Sequence, residues 1–316
     1  MLQQTQVATV IPYFQRFVAR FPDTATLARA AIDDVLVLWS GLGYYARARN
    51  LHRAAGIIVD QHAGMLPNRL DELHHLPGIG RSTAAAVLAL AHGQRQPILD
   101  GNVKRVLARF HAIEGWPGKA DVARELWARA DEHTPSTSVA DYTQAIMDLG
   151  ATICIRGQPQ CAACPVARNC EARRRRIETK LPTRRKRTEK PARSVTVLVV
   201  QNPDGETLLE RRPASGIWGG LFSFPELEAG DSAEEWCQRR FGARPSAERP
   251  LAVVEHAFTH FNLTLSPVQL TLVAKTSAEM DGNQWLWYNS AQPLPGGVAA
   301  PIGRILRQVT QTRSLN

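Results

Sequence analysis

The chain has 316 residues, is 44% hydrophobic and 21% charged, and carries a net charge of +9. That length allows two domains with cores of their own, and the apolar fraction excludes a wholly disordered chain. No stretch reaches the roughly 20 uninterrupted apolar residues of a membrane span, and MLQQTQVATV lacks the basic start and apolar run of a secretory leader, so a cytoplasmic location is expected.

In chain order, residues 1–170 read as helical. Apolar residues recur at three- and four-residue spacings over 26–38 and 122–132. Breakers part the helices at Phe21-Pro22-Asp23, Gly41-Leu42-Gly43, Leu66-Pro67, Pro77-Gly78 and Trp116-Pro117-Gly118. Residues 171–193 hold eleven Lys or Arg against three Glu, a net +8 of the chain's +9. This segment reads as an exposed basic linker, either a solvated connector or a strap over phosphates.

Beyond the linker, SVTVLVVQ (194–201) is a β-branched run, and a turn at 202–205 leads to Leu208-Leu209-Glu210. Further strands are expected at 251–255, 262–274 and 285–288, with helices at 232–241 and 300–311. The fold class is multidomain: an all-α domain over 1–170, the linker, and a smaller α+β domain over 194–316.

Three signals carry chemistry. Four of the five cysteines, Cys154, Cys161, Cys164 and Cys170, stand in a C-x6-C-x2-C-x5-C window. Four thiolates this close suit a structural zinc ion or an iron–sulfur cluster, and ligand counting leaves both open. A disulfide framework does not fit, because the rest of a long chain holds only Cys237.

The second signal is Leu76-Pro77-Gly78-Ile79-Gly80-Arg81-Ser82-Thr83, running into Ala84-Ala85-Ala86. Such a turn either joins two helices tightly or offers backbone N–H groups at a helix start to a phosphate. The third is Asp100, ahead of the amphipathic run Gly101-Asn102-Val103-Lys104-Arg105-Val106. Asp is favoured as an N-cap, and a carboxylate there also suits a cationic sugar transition state; the two roles are compatible.

Together these motifs resemble the adenine DNA glycosylases of the MutY type, within the helix-hairpin-helix glycosylase superfamily. The resemblance rests on MLQQTQV (1–7), GLGYYARARNL (41–51), LPGIGRSTA (76–84), ILDGNVKRVLAR (98–109), MDLGA (147–151) and the cysteine window. It implies a 4Fe–4S cluster on Cys154, Cys161, Cys164 and Cys170, and a C-terminal domain similar to the Nudix fold that reads 8-oxoguanine. The implied reaction hydrolyses the N-glycosidic bond of a flipped adenine mispaired with 8-oxoguanine or guanine in double-stranded DNA. Asp100 is implied as the residue stabilising the oxocarbenium-like sugar. Implied DNA contacts are Gln3, Gln4, Tyr44, Leu76, Gly78, Gly80, Ser82 and Lys104; Tyr45 reads as packing. Lys104 reads as a phosphate contact or a surface charge. The implied 8-oxoguanine reader is Phe258, Thr259 and His260. The partner is DNA and no membrane, the protein is expected to be monomeric, and the setting is a bacterial cytoplasm at the nucleoid.

Two departures from the family pattern matter. The endonuclease III branch has a Schiff-base lysine where this chain has Ser82, so a monofunctional glycosylase is expected. The family's general-acid glutamate lies two positions before the Met of MLQQTQV, which here is residue 1. The chain as written is therefore expected to have little glycosylase activity, and an internal methionine taken as the start is the favoured reason. In the Nudix-like part, Gly220-x5-Glu226 resembles the opening of a Nudix box, but Gln238 and Arg239 stand where its metal carboxylates belong. Pyrophosphate hydrolysis is not expected. The competing readings are a non-catalytic lesion-binding protein and an endonuclease III-like glycosylase/lyase.

Overall fold

The computed structural model describes residues 1–185, 189–228, 230–273 and 284–313. Lys186 and Arg187 of the linker, and Ala274 at the end of one expected strand, lie outside the described residues. Among those described, no helix is long and apolar enough to cross a membrane.

The helices in chain order are α1 (Val7–Arg20), α2 (Thr24–Arg29), α3 (Ile32–Trp39), α4 (Ala46–His62), α5 (Leu70–His75), α6 (Arg81–His92), α7 (Gly101–Phe110), α8 (Ala120–His133) and α9 (Val139–Asp148). The expected helix over 26–38 is two helices, α2 and α3. Its periodicity survives, but Ala30 and Ala31 are extended and the Ala30 carbonyl bonds to the His52 ring at 2.9 Å.

The chain falls into two compact units, Met1–Val59 with Glu189–Asn316, and Asp60–Thr188. This division differs from the boundaries expected at 170 and 194. The first 59 residues share a core with the C-terminal part: Leu36 and Trp39 of α3 cluster with Leu209, Leu221, Phe222 and Ile302.

In that unit the strands are β1 (Ala192–Gln201), β2 (Thr207–Arg211), β3 (Phe222–Ser223), β4 (Ala247–Pro250), β5 (Val254–Ala257), β6 (Asn262–Thr271) and β7 (Trp285–Tyr288). They form one mixed sheet in the order β3-β2-β1-β6-β4, with β5 also on β6 and β7 also on β2. β1 and β6 run parallel in register from Ala192 opposite Asn262 to Gln201 opposite Thr271. Alternation sorts the two faces. Val197 and Val199 face a core with Ile302, Ile305 and Val309, while Leu198 and Val200 face Ala233 and Cys237. These contacts place α12 (Ala300–Arg313) on one face and α11 (Ala233–Phe241) on the other. α11 starts with a full capping box, Ser232 and Glu235 exchanging side-chain and backbone bonds.

The other unit is helical. Val103, Val106 and Leu107 of α7 pack with Leu126 and Ala130 of α8 and Ile146 of α9. The expected linker begins as folded chain: Glu171–Arg174 is a short helix, α10, and Ala172 and Leu181 are buried with Ala112. With Ile177 packed against them, three apolar side chains in a basic run tie its first half down.

Candidate functional site

The turn between α5 and α6 is set by its glycines. Gly78 has φ +78°, which favours a residue without Cβ. Gly80 is the N-cap of α6, and no side chain caps that helix start. Leu76 is buried beneath the turn. The N-terminal N–H groups of α6 are thus arranged as for an anion.

Ser82, on the first turn of α6, reaches the next site. Its hydroxyl oxygen accepts the Leu99 N–H at 2.9 Å. The neighbouring Asp100 is the N-cap of α7, its Oδ1 accepting the Val103 N–H at 2.7 Å. Lys104, one turn on, is half-buried. The structure therefore brings together the helix-hairpin-helix turn, Ser82 and Asp100, which are separated in sequence by 17 residues between Ser82 and Leu99.

Behind Asp100 lies a lock that sequence reasoning missed. Arg105 is buried and donates to the Cys154 carbonyl at 2.7 Å, to the Gly150 carbonyl, and to Asn102 Oδ1 at 2.9 Å. Gly150 belongs to the MDLGA motif. A Cβ there would stand 2.6 Å from the Asn102 Cβ, so the turn at Leu149–Ile153 approaches α7 only because residue 150 is glycine. No local pattern marks an arginine whose acceptors lie some 45 residues away.

The four window cysteines are all free thiols. They line one pocket together with Val106, Phe110, Leu149 and Ile153. Arg109 Nη1 lies 3.3 Å from Cys154 Sγ, and Cys170 Sγ lies 3.5 Å from the Arg109 carbonyl. Among the described residues no three His, Cys, Asp or Glu are placed to hold one metal ion. Four thiols around one mostly apolar pocket form a donor set for a thiophilic metal centre. Burial pushes the Cys161 and Cys170 thiols up, a penalty that a metal binding the thiolates would reverse.

In the other unit, Gln3, Gln4 and Tyr44 are exposed, and Gln4 and Tyr44 have φ of +61° and +51°. Arg47 organises them. Its guanidinium donates to the carbonyls of Met1 (2.6 Å), Gln3 and Gly43 (3.3 Å) and to Thr5 Oγ1 (3.0 Å), and it lies 5.1 Å from the Tyr44 ring centre. Tyr45 is buried, its hydroxyl donating to the Val298 carbonyl at 3.0 Å, as packing requires.

The segment expected to meet 8-oxoguanine is the turn between β5 and β6. Thr259 and His260 are exposed at its tip. Phe258 stacks on Phe261 at 4.5 Å, meets His256 edge-on at 4.6 Å, and lies 5.6 Å from Trp218. Phe258 is thus half-buried in an aromatic cluster that backs the tip. Trp218 and Phe261 were not marked by the sequence motifs. Arg49 of α4 donates to the Gly219 carbonyl at 2.7 Å, tying the helix after Tyr44 to the residue beside Trp218. Glu226 pairs with Arg212, and Arg239 with Asp231. Two guanidiniums thus occupy the carboxylates around the residual Nudix box, which fits the loss of its cation site.

Comparison with known proteins agrees with this geometry. The family model for HhH-GPD superfamily base excision DNA repair proteins matches residues 1–132, and a NUDIX domain model matches residues 196–308. The adenine DNA glycosylase of Buchnera aphidicola (strain APS) is 34% identical over 306 residues, covering 97% of this chain and 87% of that protein. The Homo sapiens adenine DNA glycosylase is 34% identical over 341 residues, covering 90% of this chain and 62% of the human protein. A thermostable thymine-DNA glycosylase shares the fold over 55% of this chain and 80% of its own, with a TM-score of 0.50 and 24% identity. Carrying both matched domains in order and aligning with these relatives along nearly its whole length, the chain belongs to the adenine DNA glycosylase family.

Proposed function

We propose that this chain serves base-excision repair by removing adenine that stands opposite 8-oxoguanine or guanine. It hydrolyses the N-glycosidic bond, working as a monomer on double-stranded DNA in the bacterial setting of relatives such as that of Buchnera. The observation that carries this reading is the Ser82–Leu99–Asp100 arrangement at two adjoining helix starts, in a chain matched along its length by adenine DNA glycosylases.

As the base leaves, the sugar gains positive charge. Asp100, aimed by its bond from Val103, supports that charge. Ser82 offers a hydroxyl and no amine, so no Schiff base forms and the strand stays uncut. The N–H groups following Gly80 and the Lys104 ammonium take phosphates. Gln3, Gln4 and Tyr44 enter the duplex, and Thr259 and His260 meet 8-oxoguanine with Phe258 behind them. The four cysteines would hold a 4Fe–4S cluster, which when bound supplies a rigid anchor for the basic loop rather than a reacting group.

Binding selectivity tests the reading. The chain is expected to bind an A:8-oxoguanine duplex at least about tenfold more tightly than the same duplex with T:A, in line with about 1–3 kcal/mol per recognised pair. Equal affinity for both duplexes contradicts it. Iron content and visible absorption of the purified protein test the cluster separately.

A further inference from the structure

A cleft of about 690 Å³ opens in the helical unit one residue from Asp100, with Gly101 on its edge. Lys104, Arg156, Arg184 and Arg185 line it, and no acidic residue does. Among the described residues no carboxylate pairs with any of these four cations. Like charges gathered without a counter-charge repel one another, so their placement calls for an anion.

The cleft is built rather than incidental. The segment bearing Arg184 and Arg185 is pinned on both sides: Arg109 Nε donates to the Leu181 carbonyl at 2.9 Å, and the Gly115 N–H donates to Thr183 Oγ1 at 3.0 Å. Trp116 forms one wall, with the Arg185 guanidinium 5.3 Å from its ring centre. The same ring lies against Gly118, where an added Cβ would collide with it. Gly118 thus lets Trp116 fold down, and Trp116 steers Arg185 over the cleft.

We propose that this cleft is a phosphodiester subsite that grips the DNA strand beside the base pocket, with Trp116 as the positioning residue for Arg185. The subsite rests on the glycosylase reading above, because it presumes DNA at Asp100. It assigns part of the linker's charge to a fixed place instead of a diffuse strap.

The test is equilibrium binding of an A:8-oxoguanine duplex against salt, combined with a scan of neutral methylphosphonate linkages along each strand. Replacing both arginines by alanine (R184A/R185A) should lower the slope of log affinity against log salt by about 2, about 1 per phosphate contact. R184K/R185K should keep it. Neutral linkages that weaken wild-type binding at adjacent positions should lose their effect in R184A/R185A. Trp116→Ala and Gly118→Ala should each lower the slope by about 1, and Trp116→Phe should restore it. An unchanged slope and linkage profile in R184A/R185A, with wild-type selectivity intact, overturns the subsite and leaves the glycosylase reading standing. Failure of the wild-type chain to bind the duplex overturns both.

Discussion

The Ser82 hydroxyl oxygen accepts the backbone N–H of Leu99 at 2.9 Å, the residue before Asp100. The first turn of α6 thereby fixes how the chain enters α7, and with it the direction of the Asp100 carboxylate.

Capping and chemistry at Asp100 separate by substitution. Asn caps as well as Asp, so Asp100→Asn should leave thermal stability nearly unchanged, whereas Asp100→Ala should cost about 1 kcal/mol. Both should lower single-turnover adenine release by about 10²-fold or more, because a neutral side chain cannot support the cationic sugar. Melting curves and adenine release measured on both variants check this. Equal activity in Asp100→Asn and the parent would remove Asp100 from the chemistry.

Arg47 holds the turn that presents Gln3, Gln4 and Tyr44. Its removal takes one donor from each of the carbonyls of Met1, Gln3 and Gly43. Arg47→Ala should destabilise by about 2–4 kcal/mol, read as a lower urea midpoint at unchanged slope. Arg47→Lys should recover little, since a point ammonium cannot reach acceptors spread around a planar fork.

Asp33 and Arg211 form a two-bond ion pair at 2.6 and 2.8 Å, joining α3 to β2. Their side chains are 25% and 20% exposed, so the pair is neither fully dry nor fully screened. Asp33→Ala leaves a half-buried guanidinium, which should cost about 2 kcal/mol. Adding Arg211→Ala should cost less than the sum of the single changes, a coupling that a double-mutant cycle measures.

Acid should weaken the fold before its carboxylates titrate. Burial first, then His133 and Arg129, hold His111 below the usual histidine value, opposed by Glu132. Burial and Arg304 do the same to His256. The His111 and His133 Nε2 atoms are 2.7 Å apart, a contact that two imidazolium ions cannot keep. The unfolded chain takes up these protons near pH 6.5 while the folded chain still resists them, with about 6.5 as the unperturbed value. Their contribution to stability is therefore complete above about pH 6.5 and is lost as pH falls through the lower folded values. Glu171, held at about 2 by Arg174 and Arg175, acts in a separate window, from the ordinary value of 4.5 down to about 2. Urea midpoints measured across this range should drop in the parent chain, and the drop should shrink in His111→Gln/His256→Gln.

Local chemistry was the readable part of this sequence. Trp285–Tyr288 forms the expected strand, and Asp100 caps the helix its side chain suits, because both depend on near neighbours. The break between α2 and α3 was not readable, since Ala30 and Ala31 are good helix formers and only the distant His52 marks the interruption. Arg47, Arg105 and Trp218 escaped for the same reason, their partners being brought close by the fold. The basic stretch after Cys170 misled differently: its charge suggested a free linker, while the few apolar residues Ala172, Ile177 and Leu181 decide that its first half is packed.

Adenine release is the most direct test of the central claim. The protein is held in excess over an A:8-oxoguanine duplex, and free adenine and strand integrity are followed under single turnover. The protein should free adenine and leave an unbroken abasic strand, and Asp100→Asn should lower that release by about 10²-fold or more. No release of adenine, or strand cleavage with a borohydride-trappable adduct at the rate of base loss, would contradict a monofunctional adenine glycosylase.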